Sequence, residues 1–179
     1  MLSIKNKQEE INVEEKDMQL FNRVADEYSK KDFIASSKIC RKDITLRSVK
    51  KILKEKGTLG NILDVGCGVG SQAFHLNGFY KNYVGVDYSK KLIDIGKKFT
   101  VNRQDINLVC KNIKDYNETQ NYFDTVIIIG GLHHMTNIDE VFQIFRNVCK
   151  PGAHIIAVEP QRENIFIQFL RKIRMRINK

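Results

Sequence analysis

Residues 61–70 read NILDVGCGVG and residues 83–89 read YVGVDYS, and the architecture of the chain turns on these two stretches. An apolar run of Ile62, Leu63 and Val65 enters a turn with glycines at 66, 68 and 70. A helical pattern of Gln72, Ala73, Phe74 and Leu76 follows, so the order is strand, tight turn, helix. Glycine takes positive φ without steric penalty and lets a ligand approach the backbone. A second short strand, Tyr83 to Val86, sets Asp87 at its C-terminal tip, where a carboxylate can accept hydrogen bonds from both hydroxyls of a ribose. One βαβ unit therefore carries two halves of a nucleotide-cofactor site.

The glycine spacing narrows the choice of cofactor. A dinucleotide fingerprint is G-x-G-x-x-G with a pyrophosphate on the helix N-terminus. Here Gly66, Gly68 and Gly70 read G-x-G-x-G, and Asp64 stands within the strand two residues before the first glycine. A carboxylate there repels a pyrophosphate and suits a ligand bearing an ammonium and a sulfonium. On LDVGCGVG and VGVDYS the chain resembles the class I S-adenosylmethionine-dependent methyltransferases of the small-molecule superfamily, with a type 11/25-like domain. The likeness continues in order through FDTVIIIGG from Phe123, LHHMTN from Leu132, and CKPGAHIIAVEP from Cys149, which is similar to the family's LKPGG turn and fifth strand. The resemblance implies S-adenosyl-L-methionine as cofactor and methyl transfer to a small-molecule substrate, with O-methylation the leading reading. Two alternatives stay open at this point. One is a truncated or degenerate, non-catalytic module that binds cofactor or a second chain. The other is an NAD-dependent oxidoreductase, which the glycine spacing and Asp64 disfavour.

At 179 residues the chain is one domain's length, and 42% apolar content is that of an ordinary globule. The net charge of +9 is uneven. Residues 1–60 carry 14 Lys/Arg against 10 Asp/Glu, residues 61–160 carry 10 against 10, and residues 161–179 carry 6 against 1. These blocks read as an N-terminal helical cap (1–60), an S-adenosylmethionine-binding Rossmann-like core (61–160) and a basic amphipathic C-terminal helix (161–179) of the same single domain. Basic surface suits nucleic acid, but the motif-bearing block is neutral and Lys- and Asn-rich usage runs throughout, so nucleic acid is not the expected partner. Cys40, Cys67, Cys110 and Cys149 are scattered without a C-x-x-C pair, which reads as free thiols and no metal site. The N-terminus lacks an apolar leader, and the longest apolar run, Val126 to Leu132, is too short to span a bilayer, so a cytoplasmic location is expected.

Apolar periodicity predicts helices over 14–28 and 36–56, the latter with Ile39, Ile44, Leu46, Val49, Ile52 and Leu53 inward and Gly57 as its stop, after a frayed polar first dozen residues. Strands are expected at 61–65, 83–87, 106–110, 124–129 and 154–159, with helices near 70–79, 89–100 and 138–148. The runs VIII and HIIAV predict strands buried on both faces. The fold class is α/β: a Rossmann-like, doubly wound, mainly parallel sheet with N-terminal helices. The resembling family adds a sixth and a seventh strand. Only one helical segment, Glu163 to Ile177, follows here, so those strands are expected to be absent, and C-terminal truncation is the favoured explanation. An open fifth strand would then invite homo-oligomerisation. Ile165, Phe166, Phe169, Leu170, Ile173 and Ile177 share one side of that last helix, with Arg171, Lys172, Arg174 and Arg176 around the rest. Packing on the sheet is the expectation, and peripheral contact with an anionic membrane the alternative.

The resemblance assigns roles residue by residue. Asp64 and the loop at Gly66, Cys67, Gly68 and Gly70 are expected at the methionine end, Asp87 at the ribose with Tyr88 beside it, and Asn112 with Ile113 at the adenine, Asp115 being the alternative acid. His133 and His134 follow the fourth strand, where substrate would meet the methyl group. One of them is a candidate general base, with Glu159 at the tip of the fifth strand to orient or assist it. Loop packing is the competing role for the pair. His75 and His154 read as structural.

Overall fold

A computed structural model describes residues 4–159. Two long helices, α1 (Ile4–Phe33) and α2 (Ala35–Lys56), precede an alternating core of β1 (Asn61–Val65), α3 (Ser71–His75), β2 (Asn82–Asp87), α4 (Lys90–Thr100), β3 (Ile106–Cys110), β4 (Phe123–Ile129), α5 (Ile138–Val148) and β5 (Cys149–Val158). Single 3₁₀ turns at Ile113–Asp115 and Leu132–His134 follow β3 and β4.

The strands form one parallel sheet in the order β3-β2-β1-β4-β5. Side chains alternate across β1 and β4. Ile62 and Ile127 join Val49 and Ile52 of α2, Ala73 and Leu76 of α3 and Ile93 of α4 on one face. Leu63, Val65, Val126 and Ile128 join Val141, Phe145 and Val148 of α5 on the other. The sheet is thus doubly wound, and the crossovers leave β1 on one face and β4 on the other. A crevice opens between the carboxyl ends of these two strands, the usual ligand position in such sheets.

Several expectations need correction. α1 extends back through the segment expected to fray, because residues 4–12 are mostly Lys, Glu, Gln and Asn without Gly or Pro and continue the helix without a break. α2 ends as predicted at Gly57, in the left-handed region at φ 71, but its inward stripe differs. Ile39 and Ile44 are exposed, whereas Thr45, Val49 and Ile52 are buried. At 100° per residue, positions 41, 45, 49 and 52 share a side and positions 39 and 44 fall about a third of a turn away. α3 is shorter than expected and stops at His75.

β5 starts five residues earlier than predicted, Cys149 pairing with Phe123 across a register shift. It is not buried on both faces. Ile155 is 44% exposed, and β4 is the only neighbour of β5 among the described residues. The predicted helix Glu163–Ile177 and anything beyond it lie outside the described residues.

Close packing between α4 and the glycine loop is tested by Gly96→Ala. In an open helix interior this change stabilises by about 1 kcal/mol. Here the added Cβ would stand 2.6 Å from the Val69 carbonyl oxygen and 2.7 Å from Leu108 Cδ1. The expected outcome is a loss of about 1–3 kcal/mol, read as a lower urea midpoint. A midpoint at or above the parent's would refute the packing.

Candidate active site

β1 runs into a turn in which Gly66, Gly68 and Gly70 all have positive φ, at 71, 58 and 74. Gly66 and Cys67 donate their N–H groups to the Val86 carbonyl of β2, at 2.8 and 3.2 Å. The Asp87 carboxylate, at the tip of β2, accepts the Gly68 N–H on one oxygen at 2.9 Å and the Ser89 N–H on the other at 2.8 Å. Burial lifts the Asp87 carboxyl above its ordinary value, opposed by these two backbone bonds. Each oxygen keeps a lone pair for a further donor.

The three glycines have different duties. A Cβ at Gly68 would meet nothing within 4 Å, and one at Gly66 only the Gly131 Cα at 3.8 Å, so both face open cleft. Gly70 instead packs against the sheet, where a Cβ would come within 2.9 Å of Leu108 Cδ2, and it is not among the residues that line the cleft. Cys67 does line the cleft, with its sulfur close over Gly85. Burial, then the charges of Asp87 and Asp64, hold its thiol well above the normal range, which suits packing and opposes nucleophilic use.

Asp64 is placed apart from the cleft lining. Only 1% exposed, it does not reach the cleft but accepts the Tyr83 hydroxyl behind the glycine loop. Burial pushes its carboxyl up to about 7, against the Tyr83 hydrogen bond and with a further push from Asp87. On the same side, Gln72 accepts from Thr45 and pairs with His75 Nδ1 at 3.0 Å, and burial lowers the His75 imidazole to about 4. His75 is structural, as expected.

The cleft is open at its mouth and lies beyond the carboxyl ends of β1 and β4. Its floor is the glycine loop with Val86 and Asp87, and Tyr88, Ile113, Gly130, Gly131 and His134 line its sides. α1 is the roof. Glu14, Phe21 and Tyr28 recur along one side of that helix and line the cleft. Glu14 bonds Lys114 Nζ at 2.6 Å and Asn112 Nδ2 at 2.9 Å, and accepts the Thr136 hydroxyl. Burial would raise the Glu14 carboxyl, but the bonds from Lys114 and Thr136 outweigh it and hold the group below its ordinary value. At the other wall, Asn22 Oδ1 accepts from Ser89 Oγ at 2.9 Å and Lys91 N at 3.1 Å, and Asp26 pairs with Lys91 at 2.7 Å. Asn112 therefore borders the cleft while its amide nitrogen holds α1 and its amide oxygen caps the next turn through Lys114 N. Asp115 is exposed and outside the lining.

The histidine pair separates. His133 Nδ1 lies 2.6 Å from Glu159 Oε2, while Glu159 Oε1 accepts the Leu132 N–H at 2.8 Å. His134 lines the cleft, and its Nδ1 lies 2.9 Å from Asp17 Oδ2 of α1. Glu159 thus pairs with the histidine outside the cleft lining. The sequence reading missed Arg41, which lines the cleft, and Asp17, which stands outside the lining but meets His134. Arg41 reaches the cleft from the side of α2 that buries Thr45, Val49 and Ile52, and its place on that stripe was the available signal. Asp17 carried none, since its partner lies 117 positions away.

Residues 63–157 match the family described as a methyltransferase domain, and the chain belongs to that family, with the fold and S-adenosylmethionine cofactor of the class I enzymes. The nicotinamide alternative is thereby set aside. Demethylmenaquinone methyltransferase of Staphylococcus aureus strain JH9 is 26% identical over 152 residues, covering 82% of this chain and 61% of that protein. The chain spans 50–61% of the length of these curated relatives. Among solved structures, the PH0226 protein of Pyrococcus horikoshii OT3 aligns with a TM-score of 0.65 at 21% identity, covering 83% of this chain and 68% of that one. The DhpI–SAH complex aligns at 0.62 and 17%, covering 81% and 69%. The open backbone at Gly66 and Gly68 and the free lone pairs of Asp87 fit a nucleoside cofactor bearing a ribose.

Asp64 makes stability depend on pH in a stated direction. An unfolded aspartate titrates near about 3.9, so between that value and about 7 the folded chain holds the extra proton. The contribution of this group is complete below the lower value and is lost as pH rises through the upper one. Asp64→Asn keeps an acceptor for Tyr83 and cannot ionise. Measured against it by urea unfolding, the parent should lose on the order of 3 kcal/mol between about pH 4 and 8. Parallel curves would refute the raised value.

Proposed function

We propose that this chain transfers a methyl group from S-adenosylmethionine to an oxygen of a small hydroxylated molecule, with His134 as general base. The carrying observation is the division of the histidine pair: His134 alone of the two lines the cleft. The bound cofactor supplies an electrophilic methyl carbon on a sulfonium. The protein binds, orients and shields. Asp87 offers its remaining lone pairs to the ribose hydroxyls, and the backbone at Gly66 and Gly68 admits close approach. Tyr88 and Ile113 flank the adenine, and Asn112 keeps one amide proton and one lone pair for its edge. Arg41 suits the carboxylate of the methionine end. His134 takes the hydroxyl proton as the oxygen attacks the methyl carbon.

A second reading has its own support. The relatives are named for demethylmenaquinone, and Phe21, Tyr88, Ile129, Met135 and Val141 give the cleft an apolar, aromatic lining. A hydroquinone deprotonated by His134 would carry its charge to a ring carbon, the methyl group would go there, and the proton on that carbon would then leave to restore the aromatic ring.

The test supplies methyl-labelled S-adenosylmethionine with a panel of soluble phenols, hydroquinones and naphthohydroquinones. Mass spectrometry of the product separates O- from C-methylation. His134→Ala is expected to lower turnover about 10²- to 10⁴-fold while S-adenosylhomocysteine affinity stays within about twofold, and unchanged turnover would remove His134 from the chemistry. Asp87→Ala is expected to weaken S-adenosylhomocysteine at least about tenfold, for the loss of a charged hydrogen bond, by calorimetry. Equal affinity would remove the ribose assignment.

A further inference from the structure

We propose that Asp17, on the roof helix, is the positioning residue that sets the tautomer and ring orientation of His134, so that the base is complete only with α1 across the cleft. This rests on the reading of His134 as the base.

The argument starts from donors and acceptors. An ionised carboxylate can only accept, so the 2.9 Å contact from Asp17 Oδ2 to His134 Nδ1 requires the proton on Nδ1. The lone pair is then on Nε2, which bonds no described residue and is left for a substrate proton. The contact is shielded, the Asp17 side chain being 27% and that of His134 29% exposed. Ring orientation is held from two sides. One helical turn after Asp17, Phe21 meets the imidazole edge-on at 5.2 Å and 86°. The His133 ring lies 4.0 Å away on the neighbouring position.

The two histidines share a partner type but not its source. The His133 partner, Glu159, follows β5 and is tied to the same turn through the Leu132 N–H. The His134 partner comes from a helix that reaches the core through side-chain contacts at both cleft walls. The helix that closes the cleft therefore supplies the group that readies the base. This ties water exclusion to proton removal.

The experiment is long-range ¹H–¹⁵N NMR of the imidazoles in the full chain with S-adenosylhomocysteine, His134 being assigned by its loss in His134→Ala. The parent should show Nδ1 protonated and Nε2 bare, and Asp17→Ala should shift His134 toward the Nε2-protonated form. Asp17→Ala should also lower turnover about tenfold to a hundredfold on whichever panel phenol or hydroquinone reacts, with S-adenosylhomocysteine affinity within about twofold. Asp17→Glu should restore the tautomer and part of the rate. An Nε2-protonated parent, or a tautomer indifferent to Asp17→Ala, overturns the proposal even if His134→Ala abolishes turnover. A tautomer that shifts while turnover holds overturns the positioning role. If His134→Ala itself leaves turnover intact, the base reading fails and takes the catalytic role of Asp17 with it, whatever the spectra show.

Discussion

The Asp87 carboxylate accepts two backbone N–H groups from different turns, Gly68 after β1 and Ser89 before α4. Hydrogen bonds to a charged group contribute about 1.5–3 kcal/mol each, and these two lock the glycine loop to the tip of β2 and to the start of α4. Ser89 in turn donates to Asn22, so the roof helix is tied to the same point. Floor, wall and roof of the cleft meet at one side chain. Its cost is a buried charge, visible in the raised carboxyl, and a ligand offering hydroxyls to its free lone pairs would offset it.

Packing behind the loop explains why the turn needs glycines for two separate reasons. Gly66 and Gly68 leave open space toward the cleft, whereas Gly70, Gly85 and Gly96 admit Leu108, Cys67 and the Val69 carbonyl from behind. The loop is pressed from one side and free on the other. Asp64 belongs to the pressed side. Its carboxyl lies in the layer between β1 and α2, shared with Tyr83 and the field of Arg41, where burial favours the protonated form.

The roof gives the cleft its asymmetry. Glu14 and Asp17 meet the wall after β3 and β4, and Asn22 and Asp26 meet the wall at α4. Both sets are bonds made by polar side chains of the helix, so the roof is held by polar contacts together with the apolar anchors Phe21, Ala25 and Tyr28 against Val69 and Leu92. Access to the cleft and the state of His134 depend on the same helix.

By itself the sequence determined the α/β class, four of the five strands nearly to the residue, the family, the glycine loop and the place of Asp87 at the tip of β2. All of these are local: a strand's apolar run, a glycine spacing and an acid at a strand tip lie within a few residues of one another. Tertiary structure decided which polar side chain faces which way. Asp64 and Val65 are neighbours, yet the pleat sends the carboxylate behind the sheet and Val65 to the cleft side. β5 reads as a buried run but leaves Ile155 44% exposed, because burial depends on what packs over a strand's faces rather than on composition. His133 and His134 are indistinguishable in the sequence, and their roles separate only when Glu159 and Asp17 arrive from 26 and 117 positions away. Contacts of that range depend on how helices cross the sheet, and no periodicity within a short window encodes them.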